Sequence, residues 1–282
     1  MRFSKMHGIG NDYIYINCFE EKVENPEKVS VYVSDRHKGI GSDGLVLILP
    51  SDKADFRMRI FNADGSEAMM CGNATRCIGK YVFDKGMTGK TELTLETNSG
   101  IKYLTLFPVN GKVESVEVNM GQAVLLPREI PVNSDKEKFI SEPVIIGGTE
   151  YKITCVSMGN PHAVVYFDSI DDLNLESVGP LFEYNELFPD RINTEFIKVE
   201  NSHTLHMRVW ERGSGETFAC GTGACASAVA SVLNGFCSRG EEITVRLRGG
   251  DLNIVWNEDG NVIMKGPAAF ICDGEIDISH IK

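Results

Sequence analysis

No stretch of this 282-residue chain approaches the about 18 consecutive apolar residues that a membrane-spanning helix needs. Basic runs are missing too. Lys and Arg total 28 against 40 Asp and Glu, a net charge of −12, which argues against nucleic acid or an anionic membrane as the main partner. A small anionic substrate stays open, because a local site can be positive in an acidic chain. The opening residues, Met1-Arg2-Phe3-Ser4-Lys5-Met6-His7-Gly8, lack the apolar core of a signal peptide. Low-complexity and linker-like stretches are missing, so any domains are expected to pack closely. Cysteine is too dilute for a secreted disulfide framework: eight residues that read as reduced thiols of a cytoplasmic protein. What remains, 42% hydrophobic and 24% charged, is an ordinary globular composition with room for two modest domains or one large one.

The most informative feature is a duplication. Arg59-Ile60-Phe61-Asn62-Ala63-Asp64-Gly65-Ser66-Glu67 leads to Cys71-Gly72-Asn73. Arg208-Val209-Trp210-Glu211-Arg212-Gly213-Ser214-Gly215-Glu216 leads to Cys220-Gly221-Thr222. The arginines, the glutamates and the cysteines are each 149 residues apart, and so are Asn11 and Asn160. Strand patterns follow in the same order in both halves, as in Leu93-Thr94-Leu95 and Ile243-Thr244-Val245. Helices are expected over Pro26 to Asp35, Asn73 to Lys85 and Thr222 to Asn234. A further helical pattern, Leu173 to Leu187, is interrupted by Gly179-Pro180. The segment from Gly221 to Phe236 has no charged residue, so its helix should be buried all round. The expected fold class is α/β (α+β): two pseudo-symmetric domains, each a long central helix on mostly antiparallel strands. The expected extents are 1–118, with 265–282 returning to it, and 119–264, with the site in the cleft between them.

Each Cys-Gly pair should start a helix, where unpaired peptide N–H groups and the helix dipole favour an anion. A thiol there can titrate below its reference value of about 8.5. The amides of Gly72-Asn73 and Gly221-Thr222 could then hold a carboxylate, and glycine allows close approach. With an amino acid's α-carbon between the sulfurs, one thiolate would take the α-proton and the opposite thiol would return one to the other face. That chemistry requires neither a pyridoxal cofactor nor a metal. Cys18, Cys77, Cys155, Cys225, Cys237 and Cys272 read instead as small core residues. Zinc is disfavoured by the Cys71-x5-Cys77 and Cys220-x4-Cys225 spacings, which place the second cysteine inside a helix. A Cys71–Cys220 redox disulfide is a further alternative.

These motifs, together with His7-Gly8-Ile9-Gly10-Asn11-Asp12, Asp35-Arg36-His37-Lys38-Gly39-Ile40-Gly41 and Met158-Gly159-Asn160-Pro161-His162, resemble the diaminopimelate epimerase family over most of the chain. The resemblance implies cofactor-independent, metal-free interconversion of LL- and meso-diaminopimelate, in lysine and peptidoglycan precursor synthesis. It implies Cys71 and Cys220 as acid and base, supported by His162 and Glu211. Substrate contacts would fall on Asn11, Asn62, Gly72, Asn73, Asn160, Asn193, Glu211, Arg212, Gly221 and Thr222. Arg212 could clamp the far carboxylate bidentately, and Glu211 could accept from an ammonium. Gly44 stands where some members carry Gln, so that contact would be missing or made by backbone. Ala74-Thr75-Arg76 replaces the more usual Gly-Ala-Arg or Gly-Leu-Arg. The expected partners are the substrate and a second copy in a homodimer.

Three other readings compete. A proline or hydroxyproline racemase shares the second Cys-Gly-Thr-Gly but tends to carry His after the first Cys-Gly, where this chain has Asn73. A phenazine-type isomerase would lack the cysteine pair. A non-catalytic amino-acid-binding protein would bind without exchanging the α-proton.

Overall fold

A computed structural model describes residues 1–281. The chain divides into two compact units, one of residues 1–118 plus those from Gly266 onward, the other of residues 119–265.

In the first unit the chain runs through β1 (Arg2–Gly8), β2 (Asn11–Asn17), α1 (Pro26–Ser34), β3 (Gly44–Leu49), β4 (Phe56–Asn62), β5 (Glu67–Ala68), α2 (Gly72–Asp84), β6 (Glu92–Thr97), β7 (Gly100–Val109) and β8 (Lys112–Gln122), which carries it across the division. The second unit continues with β9 (Glu142–Ile146), β10 (Thr149–Ser157), β11 (Pro161–Tyr166), α3 (Leu175–Glu183), β12 (Asn193–Asn201), β13 (Thr204–Glu211), β14 (Gly215–Thr217), α4 (Gly221–Leu233), β15 (Glu242–Leu247), β16 (Gly250–Trp256) and β17 (Asn261–Pro267). The last strand, β18 (Ala269–Glu275), pairs with β1 in the first unit.

The duplication extends to register. Strands that a helix connects pair in parallel, as a crossover requires: Ile14 opposite Leu45 in β2–β3, and Ala163 opposite Thr194 in β11–β12. Both pairs are 149 residues apart. The β4–β6 and β13–β15 pairs are also parallel. Most other neighbours are antiparallel, among them β1–β2, β3–β4, β10–β11 and β12–β13. Helix bounds repeat without slippage, α1 to α3 and α2 to α4.

Alternation along each strand sends side chains to two faces. In the first unit Ile14, Ile16, Leu45, Leu47 and Phe61 form a core with Val29 and Val33 of α1. In the second, Ile153, Cys155, Ala163, Val165, Phe196 and Trp210 do the same with Leu175 and Phe182 of α3. The long helices take the other face. Helix α4 touches β10 to β13, β15 and β16, and from Gly223 to Ser231 every residue is buried. Its alanines and small residues let it lie inside the unit and favour helix at the same time.

Helix α3 runs through Gly179-Pro180 rather than breaking there. Gly179 explains the choice of residue: a Cβ on it would lie 2.2 Å from the Trp210 ring. Both long helices begin one residue earlier than expected, at Gly72 and Gly221. Of the cysteines expected in the core, Cys77, Cys155, Cys225 and Cys237 are buried, but Cys18 is only half-buried and Cys272 is exposed. Cys272 sits on an outward run of β18, where Ile271 and Asp273 are exposed too.

Candidate active site

Each cysteine is the residue just before its helix, in extended backbone: φ −138° at Cys71 and −123° at Cys220. A hairpin delivers each one. Arg59 Nε and Nη2 donate to the two carboxylate oxygens of Glu67 at 2.8 and 2.9 Å, and Arg208 does the same to Glu216 at 2.8 and 3.0 Å. These forked pairs fix the strand turns that lead to the thiols.

Around Cys71 the structure builds a chain of amides. The half-buried thiol donates to Asn11 Oδ1 at 3.6 Å, and Asn73 Nδ2 donates to the same oxygen at 3.2 Å. Asn11 is oriented by Asp43, whose Oδ2 accepts from Asn11 Nδ2 at 2.7 Å and from the Asp12 amide at 3.0 Å. Burial raises the Asp43 carboxyl against the pull of these hydrogen bonds. Asn73 Oδ1 in turn accepts from the fully buried Arg76 at 2.8 Å. Gly44 could carry no glutamine here: a Cβ would lie 2.0 Å from the Phe61 carbonyl oxygen. Asn62 is half-buried and donates to Ser66 Oγ at 3.0 Å.

Around Cys220 the groups are ionisable. His162, Asn193, Glu195 and Glu211 all project to the α4 face, since His162 pairs with Asn193 in register and Glu195 with Val209, two residues before Glu211. His162 Nδ1 lies 2.7 Å from Glu195 Oε1, and its Nε2 lies 3.0 Å from Asn160 Oδ1. Glu211 accepts a short hydrogen bond from Thr217 Oγ1. Burial raises the Glu211 carboxyl; the Thr217 hydrogen bond and the nearby Cys220 and His162 oppose the rise. The Cys220 sulfur accepts from the Gly223 amide at 3.3 Å and lies 3.5 Å from Thr222 Oγ1.

The expectation of a thiol lowered by its helix does not hold at Cys220. Burial pushes it well above its ordinary range, and the charges of Glu211 and Glu195 push the same way; the Thr222 and Gly223 contacts only offset part of this. The two thiols are therefore not equivalent. One is half-exposed among neutral amides, the other buried among carboxylates.

Asn193 is committed to holding backbone: its Nδ2 donates to the Pro161 carbonyl at 2.7 Å, and its Oδ1 accepts from the Arg212 amide at 3.0 Å. The Arg212 side chain is exposed, with Nη1 on the Asp190 carbonyl at 2.7 Å. Sequence reasoning missed Asp43, Arg76, Glu183 and Glu195. Glu183 accepts from Trp210 Nε1 at 2.8 Å and from the Gly213 amide at 3.0 Å, pinning the turn that bears Arg212. Arg76 carries one available signal, a charge within an otherwise core-facing helix pattern.

Comparisons place this architecture among known proteins. A probable proline racemase from Agrobacterium radiobacter has the same fold, with a TM-score of 0.76 at 14% identity over 99% of this chain and 94% of that one. A phenazine biosynthesis protein from Bacillus anthracis gives 0.69 at 18% identity over 99% of both. In sequence, a diaminopimelate epimerase of Acetivibrio thermocellus is 62% identical over 282 residues, the whole of both chains. Another, of Methanococcus maripaludis, is 57% identical over 279 residues, 99% of this chain and all of that one. The class so defined is that of the epimerases, isomerases on a duplicated α/β fold. The family profile described as diaminopimelate epimerase matches residues 3–126 and 154–271, and the chain belongs to the diaminopimelate epimerase family.

Proposed function

We propose that the enzyme interconverts LL- and meso-2,6-diaminopimelate by moving an α-proton between two sulfurs, Cys71 serving one face of the carbon and Cys220 the other, within lysine and peptidoglycan precursor synthesis. The observation that carries this reading is the repetition, at one offset, of a cysteine leading a buried helix, in a chain of this family. In one direction a thiolate takes the α-proton, so a C–H bond breaks and an S–H bond forms. The opposite thiol gives its proton to the other face, leaving a thiolate there. No electrons are exchanged and the protons balance. Negative charge grows on the substrate carboxylate as the C–H bond breaks. The first-turn amides at Gly72-Asn73 and Gly221-Thr222 are the groups suited to receive it. A buried, high-pKa thiol such as Cys220 is a stronger base when ionised, which narrows the gap to a weakly acidic α-proton.

Asn11, Asn62 and Asn160 supply amides on the two half-sites, and Asn193 holds the backbone that bears Arg212. Arg212 supplies charge for the distal carboxylate of the substrate, and Glu211 stands beside the Cys220 sulfur, where it can support proton transfer. The reading extends to a cytoplasmic homodimer, tested by sedimentation at several concentrations.

The deciding experiment follows LL-diaminopimelate in D2O by proton NMR, with L-proline in parallel. Deuterium entry at one α-carbon with formation of the meso isomer, unaffected by EDTA or hydroxylamine, is the expected result. Turnover of proline alone would assign the chain to the racemase reading, and tight binding without exchange would assign it to a binding protein.

A further inference from the structure

We infer that Glu195 is a positioning residue for this epimerisation, holding the His162 ring with its Nδ1 protonated so that Nε2 is the nitrogen presented on the Asn160 side. The inference rests on the epimerase reading and concerns how the Cys220 half-site is set.

The fold itself supplies a control. At the 149-residue offset, His162, Glu195 and Glu211 correspond to Tyr13, Val46 and Asn62. Val46 occupies the matching place on β3 and is fully buried. This strand position is therefore satisfied by an apolar side chain, and a buried carboxylate is not what the architecture demands. Yet Glu195 is 0% exposed, and its Oε2 has no hydrogen-bond partner among the described residues. An orphaned, buried carboxylate oxygen is costly, so the residue costs stability that its counterpart does not.

Space is also cleared for it. Where α2 has Ala74, α4 has Gly223, and a Cβ there would lie 2.6 Å from Glu195 Oε1 and 3.2 Å from Cys220 Sγ. The carboxylate thus rests against the first turn of α4, beside the sulfur, where the helix dipole favours a negative charge. Facing it, His162 Nδ1 is 2.7 Å away. A carboxylate oxygen accepts, so Nδ1 must carry the proton. That fixes the ring plane and, with the Asn160 amide turned so that Nδ2 rather than Oδ1 faces Nε2 at 3.0 Å, the tautomer, as a carboxylate does for imidazoles elsewhere.

The test compares wild type with Glu195→Gln, Glu195→Asp and Glu195→Val, the last copying the first half. Steady-state kinetics are measured in both directions, alongside 15N spectra of the His162 ring in the intact enzyme. We expect Glu195→Gln to lower kcat about tenfold or more with KM within about twofold, its thermal midpoint not lowered, and Glu195→Asp to recover part of the rate. In wild type, His162 Nδ1 should show a protonated, carboxylate-bonded resonance that changes in Glu195→Gln. A kcat within about twofold of wild type in Glu195→Gln or Glu195→Val, or a wild-type His162 with Nδ1 unprotonated, would overturn the assignment. The wild-type spectrum decides even where a variant fails to fold. A wild type that turns over no diaminopimelate defeats the functional reading instead, and is visible separately from the ring spectrum.

Discussion

Single residues separate the two thiols more than their shared motif suggests. Cys71 is half-buried and donates to an amide oxygen, whereas Cys220 is 5% exposed and accepts a peptide N–H beside two carboxylates. The charges of Glu211 and Glu195 both favour the neutral thiol at Cys220. Removing one of them must lower its pKa, and at a fixed pH near 8 more of it is thiolate. Alkylation by a small reagent, followed by peptide mass mapping, should label Cys71 before Cys220 in wild type. Labelling of Cys220 should climb only as pH rises past the ordinary thiol value of about 8.5. In Glu211→Gln that rise should move to lower pH. A shift upward, or none, would mean that burial alone sets the thiol.

Hairpins and helices explain how the residues arrive. Arg208 forks onto Glu216 and also donates to the carbonyls of Ile170 and Leu173, at 2.7 and 2.8 Å. Its side chain is 16% exposed and that of Glu216 12%, against 32% and 31% for Arg59 and Glu67. The second hairpin is therefore tied to the loop before α3 and partly desolvated, while the first is closer to a surface pair. Arg208→Met should cost about 2 kcal/mol by urea denaturation, and Arg59→Met under about 1. Equal losses would remove the distinction. The element scale is also where the sequence is most legible. The duplicated motif, the glycines after each cysteine and the uncharged stretch from Gly221 announce α2 and α4 and the fold built on them. The course of α3 through Pro180 was not legible, because Trp210 packing on Gly179 is a contact between segments distant in sequence. Glu195 was hidden likewise: in the run Thr194 to Val199 it reads as the polar position of a half-exposed strand. Only the helix on that face makes it buried.

At the scale of the whole molecule, one unit has been used twice and then made unequal. Parallel pairings, helix bounds and hairpin ion pairs persist at the same offset, whereas Tyr13, Val46 and Asn62 stand at the positions that His162, Glu195 and Glu211 take in the second copy. Symmetry of the scaffold suits a reaction whose two directions are mirror images at one carbon. Inequality suits a substrate whose LL and meso forms present different hydrogens to the same two sulfurs. If each sulfur serves one face, deleting one should not silence both. Cys71→Ala and Cys220→Ala should each lose epimerisation by about a thousandfold or more. Each should nevertheless still exchange the α-hydrogen with D2O from one diastereomer, the one whose hydrogen meets the remaining sulfur, with retention of configuration. The favoured diastereomer should be opposite in the two variants. Exchange from both isomers in a single variant would require a second base on the same face. Undiminished epimerisation in either would remove the two-thiol mechanism altogether.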